Sequence, residues 1–349
     1  MPPQSGQPVL SALDLGTNNC RLLVARPQGK SFRVIDAFSR IVRLGEGVAA
    51  SGRLSEEAID RTVEALRICA RKMRERGVTH MRNVATQACR QAMNCDDFVE
   101  RVVRETGIEL DIIPPAEEAR LAVMGCQALL DRGVRRAIVF DIGGGSTELI
   151  WTTIMPKGQP KILGWMSMPL GVVNMSEIFM GNNDVTPESY RAMVDAVRER
   201  LIPFDKRYNL SFAIKKGGVQ MIGTSGTITT LTSVHLDLPR YDRTQVDGAS
   251  VDSEALAALC QKLAGQDYQT RAANKCVGTD RAELIVAGCA ILDAILSIWA
   301  VPRISVADRG IREGMLIELM QAAQHDLRTG KPFGRTDLRA SNQEQVNVE

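Results

Sequence analysis

The sequence predicts an α/β protein in two halves, each built on a mixed sheet, with a cleft between them. Three observations carry that expectation. Short apolar strands alternate with capped helical stretches along the chain. Two hairpins of one pattern recur: Asp14-Leu15-Gly16-Thr17-Asn18-Asn19-Cys20-Arg21-Leu22-Leu23 aligns without a gap with Asp141 through Ile150. Such a repeat implies a duplicated unit. A third loop, Ile222-Gly223-Thr224-Ser225-Gly226-Thr227-Ile228, again follows a short apolar strand and opens a helix.

Taken in order, strand Leu10–Leu13 and hairpin strand Arg21–Ala25 flank the first loop. Ser55 caps a helix through Arg76, where Ile59, Val63, Leu66, Ala70 and Met73 recur at helical spacing and Gly77 stops the run. Strand Arg82–Ala85 delivers Thr86-Gln87-Ala88-Cys89-Arg90 to a strand-to-helix junction. A helix near Asp96–Glu105 ends at Gly107, and strand Glu109–Ile113 meets Pro114-Pro115. Ala116 to Leu130 reads as a helix with Glu117 and Glu118 in its first turn, where acids complement the dipole. The second hairpin follows, then strand Ile162–Met168. Thr186-Pro187-Glu188 opens a long helix to Tyr208, proline standing at its first position. Strand Val219–Ile222 leads to the third loop. Asp252 or Ser253 starts a helix through Ala264, and an apolar helix spans Leu284–Trp299. Strand Ile304–Val306 precedes a last helix to about Leu327, and a polar, disordered tail is expected from Thr329.

The loops carry the chemistry. Glycines allow positive φ and let backbone N–H groups approach a ligand without a Cβ in the way. Ser146 and Thr147 add donors, and Asp141 ends a buried strand, placed to hold a cation through its water shell. Backbone donors beside a carboxylate suit a phosphate carrying Mg²⁺. The third loop offers the free N–H groups of a helix start to an anion.

Composition narrows the classes. Apolar residues make up 44% and charged residues 24% of 349, as in an ordinary globular protein. A net charge of +2 leaves no bulk field for nucleic acid. Eight cysteines without a C-x-x-C read as reduced thiols, which predicts a cytoplasmic protein. Three histidines argue against a His-ligated metal or a Ser-His-Asp triad. Met1 to Pro8 reads as a loose leader and no signal peptide. The apolar run Leu284 to Val301 contains Asp293 and stops at Pro302, so it reads as a buried helix and no membrane partner is expected.

Paired D-x-G hairpins resemble the phosphate signature of the actin-like ATPase and sugar-kinase superfamily. A narrower resemblance rests on six blocks in one order and spacing: Asp14-Leu15-Gly16-Thr17-Asn18, Ala85-Thr86-Gln87-Ala88-Cys89-Arg90, Glu117-Glu118-Ala119-Arg120-Leu121, Asp141 to Glu148, Gly223-Thr224-Ser225-Gly226-Thr227 and Gly310-Ile311-Arg312-Glu313-Gly314. Together they look like the exopolyphosphatase and guanosine pentaphosphate phosphohydrolase family, across nearly the whole chain. The resemblance implies two ribonuclease H-like domains, 1–127 and 128–328, with the last helix packing back on the first, and a tail 329–349. It implies Mg²⁺-dependent attack of water on the terminal phosphoryl group of inorganic polyphosphate by a homodimer.

By the same resemblance Gly16, Thr17, Asn18 and Asn19 grip the end phosphates from one side. Gly143, Gly144, Gly145, Ser146 and Thr147 grip them from the other, with Gly223, Ser225, Gly226 and Thr227 beyond. Arg90 pairs with phosphate oxygens, its guanidinium fork matching their geometry. Asp14 and Asp141 hold Mg²⁺; Glu148 assists metal or water, or else forms a cross-strand ion pair. Glu118 orients and deprotonates the water, and Glu117 faces outward on the helix surface. The chain departs from the pattern in Pro114-Pro115-Ala116, where the family has Ser-Gly. It also stops where many members continue into a helical second half, so it resembles the short form, from which a preference for short or medium chains is expected. Guanosine pentaphosphate remains open as the substrate. A kinase would need an acceptor-site aspartate that the sequence does not offer in its usual surroundings, and a non-catalytic sensor would bind without turnover.

Overall fold

The computed structural model describes residues 7–155, 160–180 and 185–329. Two mixed sheets form the two lobes. The first holds β1 (Leu10–Leu15), β2 (Asn19–Gln28), β3 (Ser31–Ile41), β4 (His80–Ala85) and β5 (Asp111–Ile112) in the order β3-β2-β1-β4-β5. The second holds β6 (Arg136–Ile142), β7 (Thr147–Ile154), β8 (Pro160–Met168), β9 (Val219–Thr224), β10 (Ser250–Asp252) and β11 (Arg303–Ala307) in the order β10-β11-β9-β6-β7-β8. Read from β8 to β11, the second sheet repeats the order of the first and adds β10 at its edge.

The repeat extends to the register. Asp14 stands opposite Arg21 in the β1–β2 hairpin, and Asp141 stands opposite Glu148 in the β6–β7 hairpin. Each turn is closed by the same bond, Gly16 N–H to the Asn19 carbonyl and Gly143 N–H to the Ser146 carbonyl, both 2.9 Å. A parallel strand flanks each hairpin, β4 beside β1 and β9 beside β6, so both loops emerge with the carboxyl ends of parallel strands. In open α/β sheets ligands bind at that edge.

The principal helices are α1 (Glu56–Glu75), α2 (Gln87–Gln91), α3 (Cys95–Thr106), α4 (Pro115–Cys126), α5 (Val172–Phe179), α6 (Pro187–Tyr208), α7 (Ser225–His235), α8 (Ser253–Ala264), α9 (Leu284–Ile298) and α10 (Ile311–Thr329). The caps read from the sequence form. The hydroxyl of Ser55 accepts from Ala58 N–H, that of Thr186 from Ser189 N–H, and Asp252 accepts from Glu254 and Ala255 N–H. α9 is buried along most of its length and packs against α6, and among the described residues no helix is long and apolar enough to cross a membrane. Several elements differ from the expectation, and neither β10 nor α5 was anticipated. β3 was not anticipated, because none of its side chains is fully buried and Arg33, Asp36 and Arg40 interrupt the apolar pattern. The strand expected over Glu109–Ile113 shrinks to the two residues of β5, and the helix expected to Leu130 ends at Cys126. The loose leader falls largely outside the described residues; so does the polar tail, except that Thr329 still ends α10.

α4 and α10 lie between the lobes. Ala119, Val123 and Cys126 of α4 pack on the second sheet through Val139, Ile150 and Ile222. Leu121 and Ala122 join Met315, Leu316 and Leu319 of α10 against Leu10, Ala12 and Val84 of the first. The two helices cross with backbones in contact. A Cβ on Gly125 would stand 2.0 Å from the Gly310 carbonyl oxygen, and one on Gly314 would stand 2.2 Å from that of Leu121.

Candidate active site

The hairpin tips meet at the mouth of a cleft of about 90 Å³, lined by both loops together with Gln87, Glu118, Ser225 and the Asp308–Arg312 segment. Each loop is fastened from behind through its carbonyls. Val42 and Arg43 N–H donate to Asn18 O, and Gly45 N–H to Thr17 O, at 2.9–3.0 Å. In the other lobe Val172 N–H donates to Gly143 O at 3.0 Å and Val173 N–H to Gly144 O at 2.8 Å, while the Asn174 amide donates to Gly145 O at 2.9 Å. Among the described residues no acceptor takes the N–H groups of Thr17, Asn18, Gly144 or Gly145. The buried Thr17 Oγ1 likewise has no partner. Carbonyls tied back and amides left over make a concave donor surface suited to an anion. The start of α7 adds uncapped first-turn amides, since Thr224 provides no side-chain cap.

The positive φ expected of the loop glycines is not what the turns use. Gly16, Gly143, Gly144 and Gly145 all have ordinary φ; the positive φ among the loop residues, 79°, falls on Ser225. What the second hairpin needs is room for the first. A Cβ on Gly145 would lie 2.4 Å from Thr17 Oγ1, and one on Gly144 would lie 3.1 Å from the backbone nitrogen of Asn18.

Five carboxylates line the cleft: Asp308, whose Oδ2 accepts from Tyr241, and four more. Asp14 has its pKa raised by burial, an effect opposed by Arg21 and Arg312. Asp141 is pushed up to about 6 by burial, with Asp14 adding to the rise and Ser225 opposing it. Glu148 is pushed up to about 7 by burial and by the charge of Asp141. Its Oε1 accepts from Ser146 Oγ at 2.7 Å and Ser167 Oγ at 2.8 Å, so hydroxyls rather than a cross-strand cation hold it. Glu118 is raised well above the carboxylate range by burial and by Glu148, against the pull of Arg90. The departure at Pro114-Pro115 leaves Glu118 in place: Pro115 occupies the first helical position, and Glu118 N–H bonds Pro114 O at 3.1 Å.

The structure places several of the expected site residues elsewhere than in this cleft. Arg90 does not line the cleft. Its Nη1 donates to Glu118 Oε2 and to Ile113 O, both at 2.8 Å, and Gln87 Oε1 takes its Nε and Nη2. Thr147 turns its hydroxyl to Leu170 O at 2.7 Å, away from the cleft, and is fully buried. Gly223 is a packing position, where a Cβ would meet the Phe140 ring at 2.3 Å. Gly226 and Thr227 border a neighbouring cavity of about 70 Å³ with Arg21 and Arg281. Glu117, expected on the helix surface, is buried and bound by Arg82 at 2.5 Å and Arg120 at 2.7 Å. The cations that do line the cleft are Arg21, Arg309 and Arg312. Arg21 was readable as the register counterpart of Glu148, and Arg312 lay inside the Gly310–Gly314 block.

Mg²⁺ tests less simply. Among the described residues no three His, Cys, Asp or Glu side chains stand together as ligands, so Asp14, Asp141 and Glu148 do not form one ready-made cage. The donor set still fits the ion, which is commonly held by one or two carboxylates with water and substrate phosphates. Asp14 is near enough to Asp141 to raise its proton affinity, a repulsion that a cation between them would relieve.

Comparison with known proteins agrees with this geometry. Residues 23–323 match the model of the Ppx/GppA phosphatase family. The chain is 30% identical over 330 residues to a Mycobacterium tuberculosis protein named exopolyphosphatase 2, covering 92% of this chain and 96% of that one. It is 27% identical to a Photobacterium profundum guanosine-5'-triphosphate,3'-diphosphate pyrophosphatase, covering 91% of this chain and 60% of the longer relative. The crystal structure of the Aquifex aeolicus Ppx/GppA family member superposes with a TM-score of 0.74 at 29% identity, over 91% of this chain and 99% of that one. The chain belongs to the Ppx/GppA phosphatase family and has its two-domain, actin-like fold.

Proposed function

We propose that the protein is an exopolyphosphatase, removing the terminal phosphoryl group of inorganic polyphosphate by attack of water. The observation that carries this reading is the pair of facing hairpins whose carbonyls are tied back and whose N–H groups remain available, with a buried glutamate beside them. Phosphoryl transfer asks for positioning and charge neutralisation more than for covalent chemistry. Thr17, Asn18, Gly144 and Gly145 donate to the end phosphate from two sides, and Arg21 and Arg312 offset its charge. Glu118 accepts the hydrogen bond of the attacking water and takes its proton; burial raises its basicity above that of a solvated glutamate. Arg90 acts on Glu118, fixing one carboxylate oxygen so that the other faces the cleft. Mg²⁺, held by Asp14 and Asp141 with substrate oxygens, would neutralise charge on the phosphates. Glu148 and its two serines hold a water beside that position.

Guanosine pentaphosphate is the second reading, favoured by the family's other named activity and by the cavity beside Arg281. Both substrates present a terminal phosphoryl group to the same loops. On this reading the protein is cytoplasmic, consistent with eight free, buried cysteines, and homodimeric. Domains 1–127 and 128–328 remain the division we favour, with α10 returning to the first sheet. The test is phosphate release from polyphosphates, nucleoside triphosphates and guanosine pentaphosphate, with Mg²⁺ and with EDTA. Release from polyphosphate without an acceptor supports hydrolysis; tight binding with no release would leave a sensor instead. Light scattering reads the oligomeric state.

A further inference from the structure

Four charged side chains outside the cleft form a closed ring. Glu117 of α4 receives Arg82 of β4 at 2.5 Å and Arg120 at 2.7 and 2.8 Å. Glu318 of α10 binds the same two arginines from the other side. None of the four side chains is more than 16% exposed. Burying charge is costly, and well-packed apolar residues often serve stability as well or better, so such a ring is better explained by the geometry it imposes. That geometry concerns Glu118. Arg82 and Arg90 belong to one strand–helix segment, β4 and α2; Arg82 grips Glu117, and Arg90 grips its neighbour Glu118 at 2.8 Å. The first turn of α4 is thus pinned on two sides by the same piece of backbone. Glu318 extends the hold to α10, whose first turn carries Arg312 into the cleft.

We infer that Glu117 is a positioning residue for the reaction: clamped by Arg82 and Arg120, it sets the first turn of α4 so that the Glu118 carboxylate meets the attacking water. Glu117 stands outside the cleft lining and acts only through Glu118. The inference therefore rests on the reading of Glu118 as the water-activating group.

The test is a double-mutant cycle on the full chain, reading Mg²⁺-dependent phosphate release from polyphosphate. Glu117→Gln keeps the volume and removes the charge that orders both guanidiniums. A shift of about 1 Å in a reacting group costs roughly 10²-fold, so kcat is expected to fall ten- to a hundredfold with KM within about threefold of wild type. In a Glu118→Gln background the same change should lower kcat by less than about threefold, because there is no longer a carboxylate to misplace. A purely structural role would lower kcat equally in both backgrounds, and that additivity overturns the inference while leaving Glu118 as the base. Glu117→Gln at wild-type kcat also overturns it. If Glu118→Gln itself is silent, the reading of Glu118 falls and this inference with it. Thermal unfolding accompanies each variant. Should Glu117→Gln fail to fold, Arg82→Lys serves in the same cycle, since it keeps the charge and loses the fork that spans Glu117 and Glu318.

Discussion

Gly145→Ala tests whether the two hairpins meet during the reaction as they do in the structure. The added carbon would lie 2.4 Å from Thr17 Oγ1, 3.1 Å from Gln87 Cγ and 3.2 Å from Thr17 Cβ. Ordinary heavy-atom contacts begin near 3.5 Å, so the first lobe must retreat by about 1 Å. Rotating Thr17 gives little relief, because its Cβ is itself too close and its Cγ2 already fills the space beside Gly45. Gly145 has no positive φ, so alanine adds no backbone strain inside its own lobe. The cost therefore falls on the approach of the lobes and not on folding. A 1 Å misplacement corresponds to roughly 10²-fold in kcat/KM, or about 2.7 kcal/mol of transition-state stabilisation. The assay is phosphate release over a range of polyphosphate concentrations, beside a melting curve; Tm should change by no more than about 2 °C. Wild-type kcat/KM in a variant with an unchanged melting curve would refute the reasoning, for it would mean that the chemistry proceeds with the tips apart.

Glu118→Gln should lower kcat by about 10²–10⁴-fold with KM little changed, the scale of a lost general base; a fall of less than about threefold removes Glu118 from the mechanism. Asp141→Asn should shift the Mg²⁺ titration of activity to higher concentration, part of the rate returning as Mg²⁺ is raised; an identical titration would place the ion elsewhere. Asp36 is held down to about 2 by hydrogen bonds from Lys72 and Arg76, both at 2.8 Å. A depressed carboxyl contributes stability above its unfolded value near 4 that is lost as pH falls through about 2. Asp36→Asn should accordingly lower stability at pH 7 by about 1 kcal/mol or less, with the difference shrinking below pH 4; a constant difference from pH 7 to 2.5 contradicts the pairing.

The fold was legible wherever local chemistry decides it. The hairpin repeat gave the register of both loops, because Asp, Gly and the following aliphatic strand occupy equivalent positions in two sheets. Ser55, Thr186 and Asp252 announced their helices because capping is settled within three residues. β3 escaped because, at a sheet edge, Phe32, Ile35 and Phe38 are only partly buried and charged residues stand between them. In the site, the loops and Glu118 could be read, but the direction of a side chain could not. Thr147 and Gly223 sit inside the right motifs and face packing partners. Arg90 looked like a phosphate ligand because its carboxylate partner lies 28 positions on, and Glu117 looked solvated because its partner Arg82 lies 35 positions back and both of its arginines are shared with the distant Glu318. Burial of charge is a property of the assembled fold, and no local pattern announces it.

Among the positions at which the two hairpins differ, one exchanges a positive charge for a negative one. Seven residues past each aspartate, one copy carries Arg21 and the other Glu148. Duplication left the backbone two-fold, while this exchange made the cleft electrically polar, with a cationic wall facing an acidic one. A linear anion threaded between equal walls would have no preferred direction. On the proposed reading its charged body would be drawn toward Arg21, and its last, cleavable unit would come to rest beside Glu118. The polarity of one strand pair thus orients a chain that has no polarity of its own.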